Sequence, residues 1–252
     1  MAERPVLLLH GLGVDHRMWG PTLPFLQEKG QLLVPDLPGF GCEPPLPVEL
    51  CSPTDYADWL ARWLLERRVG ALAVAGYSMG GTLAMLLALR HPELVERLVL
   101  CCTSACWGRG ARRWMGRAFA GVGGISAMEL FQLSVRWSCT RHIVTESDRS
   151  QIVDMVARAH RPSMRRLYME LVELSLVPQL ARLDCPVLVV AGRRDWLAPP
   201  AHQRLLCRSL PHARLEIVPG AGHFLCLSHP ERFAELLLRG LRGEVSVVPG
   251  TD

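Results

Sequence analysis

Three residues of this chain have the types needed to make a hydroxyl into a nucleophile. Ser78 stands in Gly76-Tyr77-Ser78-Met79-Gly80-Gly81, Asp195 in Gly192-Arg193-Arg194-Asp195, and His223 in Gly220-Ala221-Gly222-His223-Phe224. A serine hydroxyl attacks a carbonyl poorly until a base takes its proton. The base in turn needs an acid that fixes its tautomer and stabilises its cation. In the α/β arrangement with Gly-x-Ser-x-Gly between strand and helix, these partners come later in the chain, acid first and histidine second, and that is the order here. Negative charge developing on the substrate oxygen also needs donors. The amide of Met79, directly after the nucleophile, is one. The amide of Leu12, in the Gly-rich loop His10-Gly11-Leu12-Gly13, is placed to be the other.

These residues work only if regular elements bring them together. An apolar, strand-like run from Gly70 to Ala75 precedes Ser78, and the strong helix former Thr82–Leu89 follows it. Gly76 and Gly80 supply room for the sharp turn between them. Asp195 follows the strand-like Val187–Ala191, and His223 follows Ile217-Val218. Both therefore stand at carboxyl ends of strands, the edge where open α/β sheets carry their sites. Other candidates are placed less well. Asp184 precedes its strand, Asp36 opens a tight Pro-Gly turn and reads as structural, and no carboxylate follows Cys102 directly. His10 is expected to brace its loop by hydrogen bonding. No histidine or cysteine has metal-ligand spacing to a second one, so no metal and no other cofactor is predicted.

Further strands are predicted at Pro5–Leu9, Leu32–Pro35, Leu98–Cys102 and Arg214–Val218. Helices are predicted at about 54–68, up to Arg90, at 200–209 and at 230–241. The first is capped by Ser52 or Thr54 and has Trp59 and Trp63 packed on the sheet. Such alternation argues for right-handed crossovers and a parallel sheet. The rhythm breaks between residues 104 and 182, which hold four amphipathic helical stretches, 111–119, 125–137, 147–159 and 163–176, and no strand. This divides the chain into a core, 1–103 and 183–252, and a helical insertion, 104–182, with a loose tail from Gly243 to Asp252.

Composition narrows the classes. The chain has 252 residues, 49% of them hydrophobic, enough for a large buried sheet. No apolar run approaches the ~18 residues of a membrane span, and the first run is too short for a signal peptide. A soluble, cytoplasmic protein is expected, with neither membrane nor nucleic acid as partner. Nine cysteines, an odd number without a Cys-x-x-Cys pair, read as free thiols of a reducing compartment. Net charge is only +4, but residues 104–182 hold twelve arginines against six acidic residues. That imbalance concentrates positive charge on the insertion.

Taken together, His10-Gly11-Leu12-Gly13, Asp36-Leu37-Pro38-Gly39-Phe40-Gly41, the Ser78 turn, Gly192–Asp195 and Gly220–His223 resemble the α/β-hydrolase superfamily. The resemblance implies a mostly parallel sheet of about six strands flanked by helices, with the insertion as a helical cap. A hairpin common at the start of that fold is missing or minimal here. It also implies an acyl pocket between Ser78 and the cap, lined by Leu12, Trp19, Tyr77, Met79, Trp107 and Trp196. Dehalogenases and epoxide hydrolases of the superfamily carry Asp where Ser78 stands, which points away from them. Within the superfamily the chain is similar to the esterases that cleave pimeloyl-acyl-carrier-protein methyl ester in biotin synthesis. The shared features are the Asp36–Gly41 turn, Ser104-Ala105-Cys106-Trp107 and the compact Arg-rich cap. That likeness implies a carrier-bound ester substrate and an acidic carrier protein docked on Arg158, Arg161, Arg165 and Arg166. A short-chain carboxylesterase, a thioesterase or a C–C bond hydrolase would use the same three residues. A slow-turnover, ligand-sensing signalling protein would also retain them.

Overall fold

A computed structural model describes residues 5–26, 30–106 and 145–244. Six strands form one all-parallel sheet in the order β2-β1-β3-β4-β5-β6. They are β1 (Val6–Leu9), β2 (Leu32–Leu33), β3 (Leu72–Tyr77), β4 (Val95–Cys101), β5 (Val187–Gly192) and β6 (Ala213–Val218). β1, β3 and β5 are buried at every position. This is why they read as unbroken apolar runs: a parallel sheet covered on both faces has no polar side to alternate with. The edge strand β6 is only half-buried and accordingly carries Arg214 and Glu216.

Register brings the chemistry to one edge. Leu9 pairs with Gly76, Tyr77 with Cys101, Cys101 with Val190, and Gly192 with Val218. The residues that follow β1, β3, β4, β5 and β6 therefore emerge side by side at the carboxyl edge, as expected.

The helices among the described residues are α1 (Pro53–Glu66), α2 (Met79–Arg90), α3 (Glu146–Arg158), α4 (Arg161–Glu173), α5 (Pro200–Ser209), α6 (Leu225–Ser228) and α7 (Pro230–Arg242). α1 starts where the sequence puts a cap: Ser52 Oγ accepts from Asp55 N (3.2 Å), and Asp55 Oδ2 accepts from Ser52 N (2.9 Å). This reciprocal pairing satisfies two amides the helix cannot. Trp59 and Trp63 are half-buried and pack against the core, and Arg67 covers the Trp63 ring at 4.0 Å. α2 is buried from Met79 to Ala88, matching its lack of any polar stripe. α7 packs Phe233, Leu236 and Leu237 inward and stops at Gly243, whose φ of +73° is the left-handed terminator.

Of the expected insertion, residues 107–144 lie outside the described residues, and with them the stretches 111–119 and 125–137. The stretches 147–159 and 163–176 are α3 and α4. Both rest on loops of the carboxyl edge: Asp15 N donates to Met155 Sδ on α3, and His160 N, capping α4, donates to Gly39 O at 2.8 Å. The chain leaves the sheet and returns to it at one point. Cys106 and Ser175 form an antiparallel bridge, and Leu176 N donates to Ala105 O at 2.8 Å.

Candidate active site

Ser78 joins β3 to α2 with φ +53° and ψ −117°, a conformation an L-residue adopts only when its surroundings compel it. Two glycines make this possible. A Cβ on Gly76 would fall on the Gly80 carbonyl, and one on Gly80 on the Leu9 carbonyl. The strained residue is then pinned from both sides. Its N–H donates to Cys101 O (2.8 Å) and its carbonyl accepts from Thr103 Oγ1 (2.6 Å).

The turn presents Ser78 Oγ to His223. Oγ and Nε2 are 3.2 Å apart, and His223 Nδ1 donates to Asp195 Oδ2 at 2.9 Å. The second hydrogen bond selects the tautomer with a bare Nε2, the form able to accept the serine proton. The other Asp195 oxygen is fixed by the amides of Leu197 (3.0 Å) and Ala198 (2.8 Å). Asp195 is buried, and the imidazole and these two amides take the place of water around it. Ser78, Asp195 and His223, chosen above by strand position, thus lie in one hydrogen-bonded line.

The Gly-rich loop comes close to the nucleophile. A Cβ built on Gly11 would stand 3.5 Å from Ser78 Cβ. Among the described residues the Leu12 amide has no acceptor. Met79 begins α2, and its amide is one of the donors a helix start leaves open. His10 braces this loop. Burial keeps its pKa below the ordinary value, hence neutral, so Nδ1–H donates to Gly11 O (2.9 Å) while Nε2 accepts from Leu37 N (2.9 Å). Asp36 is structural: it accepts from His16 N (2.9 Å), His16 Nδ1 (2.7 Å) and Cys42 N (2.9 Å).

The expected pocket wall is only partly where the sequence put it. Leu12 and Trp196, each next in sequence to a residue that meets the line or belongs to it, are half-buried. Trp107 lies outside the described residues. Trp19 and Tyr77 are instead fully buried beneath His223, in one cluster with Phe233 of α7. The last position of β3 points Tyr77 toward α7, where its hydroxyl donates to the His223 carbonyl oxygen and its ring meets the imidazole edge-on. This holding role was not visible in the sequence: β3 is apolar on both faces, so nothing marks which way its last residue turns. The same silence covers Cys102, which follows β4 with φ +47° behind Asp195.

Ligand atoms of Cys102, Asp195 and His223 lie within 4.8 Å of one another, as do those of Asp15, His16 and Asp36. Neither group is a free donor set. Burial, and then the Asp195 charge, push the Cys102 thiol well above its usual range, and the other two residues are bonded to each other. In the second group Arg17 holds both Asp15 oxygens. The four arginines expected to dock a carrier are all exposed. Arg158 is paired with Asp154 (2.8 Å) and Arg166 with Glu170 (2.7 Å), whereas Arg161 and Arg165 face solvent on α4 without a described acidic partner. No helix of the described residues is long and apolar enough to cross a membrane.

Comparison with known proteins agrees with this architecture. The family model for the alpha/beta hydrolase fold matches residues 4–230. A pimeloyl-[acyl-carrier protein] methyl ester esterase of Aeromonas hydrophila is 30% identical, over 92% of this chain and 93% of its own. A putative carbamate hydrolase, RutD, of Escherichia coli O157:H7 is 29% identical, over 95% and 92%. The crystal structure of a hydrolase from Pseudomonas aeruginosa PA01 superposes with a TM-score of 0.82 at 26% identity. It covers 96% of this chain and 91% of that one.

Proposed function

Because the chain belongs to the α/β-hydrolase fold family, we propose that it cleaves a carboxylic ester through an acyl-enzyme on Ser78. The observation that carries this is the unbroken line Ser78 Oγ, His223, Asp195 on a strained turn. Ser78 Oγ attacks the ester carbonyl as His223 Nε2 takes its proton, and Asp195 stabilises the imidazolium. The Leu12 and Met79 amides face the oxygen that becomes negative. Collapse breaks the carbon–alkoxide bond, and the alcohol leaves with the proton from His223. Water then attacks the acyl carbonyl, giving its proton to His223, and Ser78 regains a proton as the acid departs.

The finer reading is the methyl ester of a pimeloyl chain on an acyl-carrier protein. It is supported by the name of the Aeromonas relative and by the arginine excess of residues 104–182. An acidic carrier docked there would present its ester at the carboxyl edge, where α3 and α4 rest. Arg161 and Arg165 are its first contacts, since Arg158 and Arg166 already have acidic neighbours.

The test is a substrate panel of short-chain esters, thioesters, a carbamate and a carrier-bound methyl ester, run with wild type and with Ser78→Ala. Ester turnover is expected, with kcat lower by a factor on the order of 10⁴ in the folded variant. Turnover of Ser78→Ala within tenfold of wild type sinks the proposal, and preference for the carbamate redirects it to C–N cleavage.

A further inference from the structure

One arginine fastens α3 to the loop that carries the Leu12 amide. Arg17 stands in the 3-10 turn His16–Trp19 that follows the loop. Its Nε and Nη2 take the two oxygens of Asp15 at 2.9 and 2.7 Å. Its Nη1 reaches across to Asp154 of α3 at 2.9 Å. Asp154 also accepts from Arg158 at 2.8 Å, so two cations share one carboxylate of the insertion.

Asp15 is the unusual member. It is 1% exposed, and it caps the turn by accepting from Arg17 N at 3.0 Å. A carboxylate so far from water costs several kcal/mol unless a cation and hydrogen bonds compensate it. Arg17 does both. The backbone on either side of Leu12 is held as well. Gly11 N donates to Met18 Sδ (3.4 Å) and Asp15 N to Met155 Sδ of α3 (3.5 Å). Leu12, left-handed Gly13 and Val14 therefore span the gap between two tethered residues.

We propose that Arg17 is a positioning residue for the oxyanion site: through Asp15 it aims the Leu12 amide, and through Asp154 it ties that aim to the seating of α3. The inference rests on the ester-hydrolase reading. One oxyanion donor is worth about 10²–10³ in kcat, so a slightly misaimed donor loses part of that factor without unfolding anything. The donor acts on the transition state, so the loss belongs in kcat and leaves KM alone.

The experiment uses the full chain, a small neutral ester and no carrier. A trifluoromethyl ketone serves as probe, since its adduct with Ser78 places an oxyanion on the same donors. Arg17→Gln strips Asp15 of its cation and is expected to lower Tm as well as kcat. Asp154→Asn leaves Asp15 and Arg17 together and is the decisive variant. Its kcat should fall about three- to tenfold, and the ketone's Ki should rise by the same factor. KM should stay within about twofold and Tm within about 2 °C. Adding Asp154→Asn to Arg17→Gln should cost nothing further, because the strut is already gone. An active wild type whose Asp154→Asn variant keeps kcat and Ki, or changes only KM or Tm, overturns the inference alone. A wild type that neither turns over esters nor binds the ketone overturns the esterase reading and this inference with it.

Discussion

Asp195 and Asp36 both follow strands, and only their hydrogen bonds tell them apart. Asp195 spends one oxygen on the His223 ring; Asp36 spends both on loop amides and the His16 side chain. Asp195→Asn should therefore cost about 10³–10⁴ in kcat, because an amide admits the wrong imidazole tautomer. Asp36→Asn should act mainly on Tm. Parallel kinetics and melts of the two variants check this, and a larger kcat loss in folded Asp36→Asn would reverse the roles. Tyr77 calls for a different measurement. Tyr77→Phe removes the only described side-chain donor to the His223 carbonyl, at a net cost of about 1–3 kcal/mol. A base free to shift should also slow proton transfer, so kcat is expected to fall about tenfold at constant KM. A Tm loss without a kcat loss would reduce Tyr77 to packing. The three residues of the hydrogen-bonded line were legible because each follows a strand in a turn-rich motif. The packing of Tyr77 and Trp19 against Phe233 was not legible, because aromatic type alone gives no direction.

Among elements, α2 matters most, since its start holds Ser78 and Met79. Its far end is clasped to α1: Asp58 accepts from Arg90 Nε (2.8 Å) and Nη2 (2.7 Å) and meets His91 Nε2 at 3.1 Å. The Arg90 guanidinium, and after it His91, hold the Asp58 carboxyl below the usual carboxylate range, although burial opposes them. A lowered native pKa means stability present above the unfolded value and lost as pH falls through the native one. The pair is partly exposed, so screening limits it to about 0.5–1 kcal/mol. Urea melts should show Asp58→Asn less stable than wild type at pH 7, with the gap closing below about pH 4. A gap unchanged at low pH would mean that the clasp is not ionic. Element existence was legible throughout the described core, since strands buried on both faces and amphipathic helices have different periods. Short pieces such as α6 were not, because four residues carry no period.

At the scale of the molecule, charge is divided: residues 104–182 carry the positive excess, and the remainder is slightly acidic. If that excess steers an acidic carrier, reversing Arg161 and Arg165 to Glu should raise KM for a carrier-bound ester several-fold. The effect should be strongest at low salt, and a small neutral ester should be hydrolysed as before. Equal changes for both substrates, or none, would leave the arginines a solubilising role. The bridge between Cys106 and Ser175 adds something of another kind. Because the chain departs and rejoins at one point, the parallel sheet does not depend on how many residues lie between. Each doubling of such a closed loop costs only about 0.6 kcal/mol. The number of residues between 106 and 175 is therefore only weakly constrained by the sheet itself. That stretch can vary in length at small cost to the sheet that carries Ser78, Asp195 and His223. Grafting a relative's stretch at the same two points should leave the sheet folded, and should keep full kcat only where the graft again sets a carboxylate opposite Arg17.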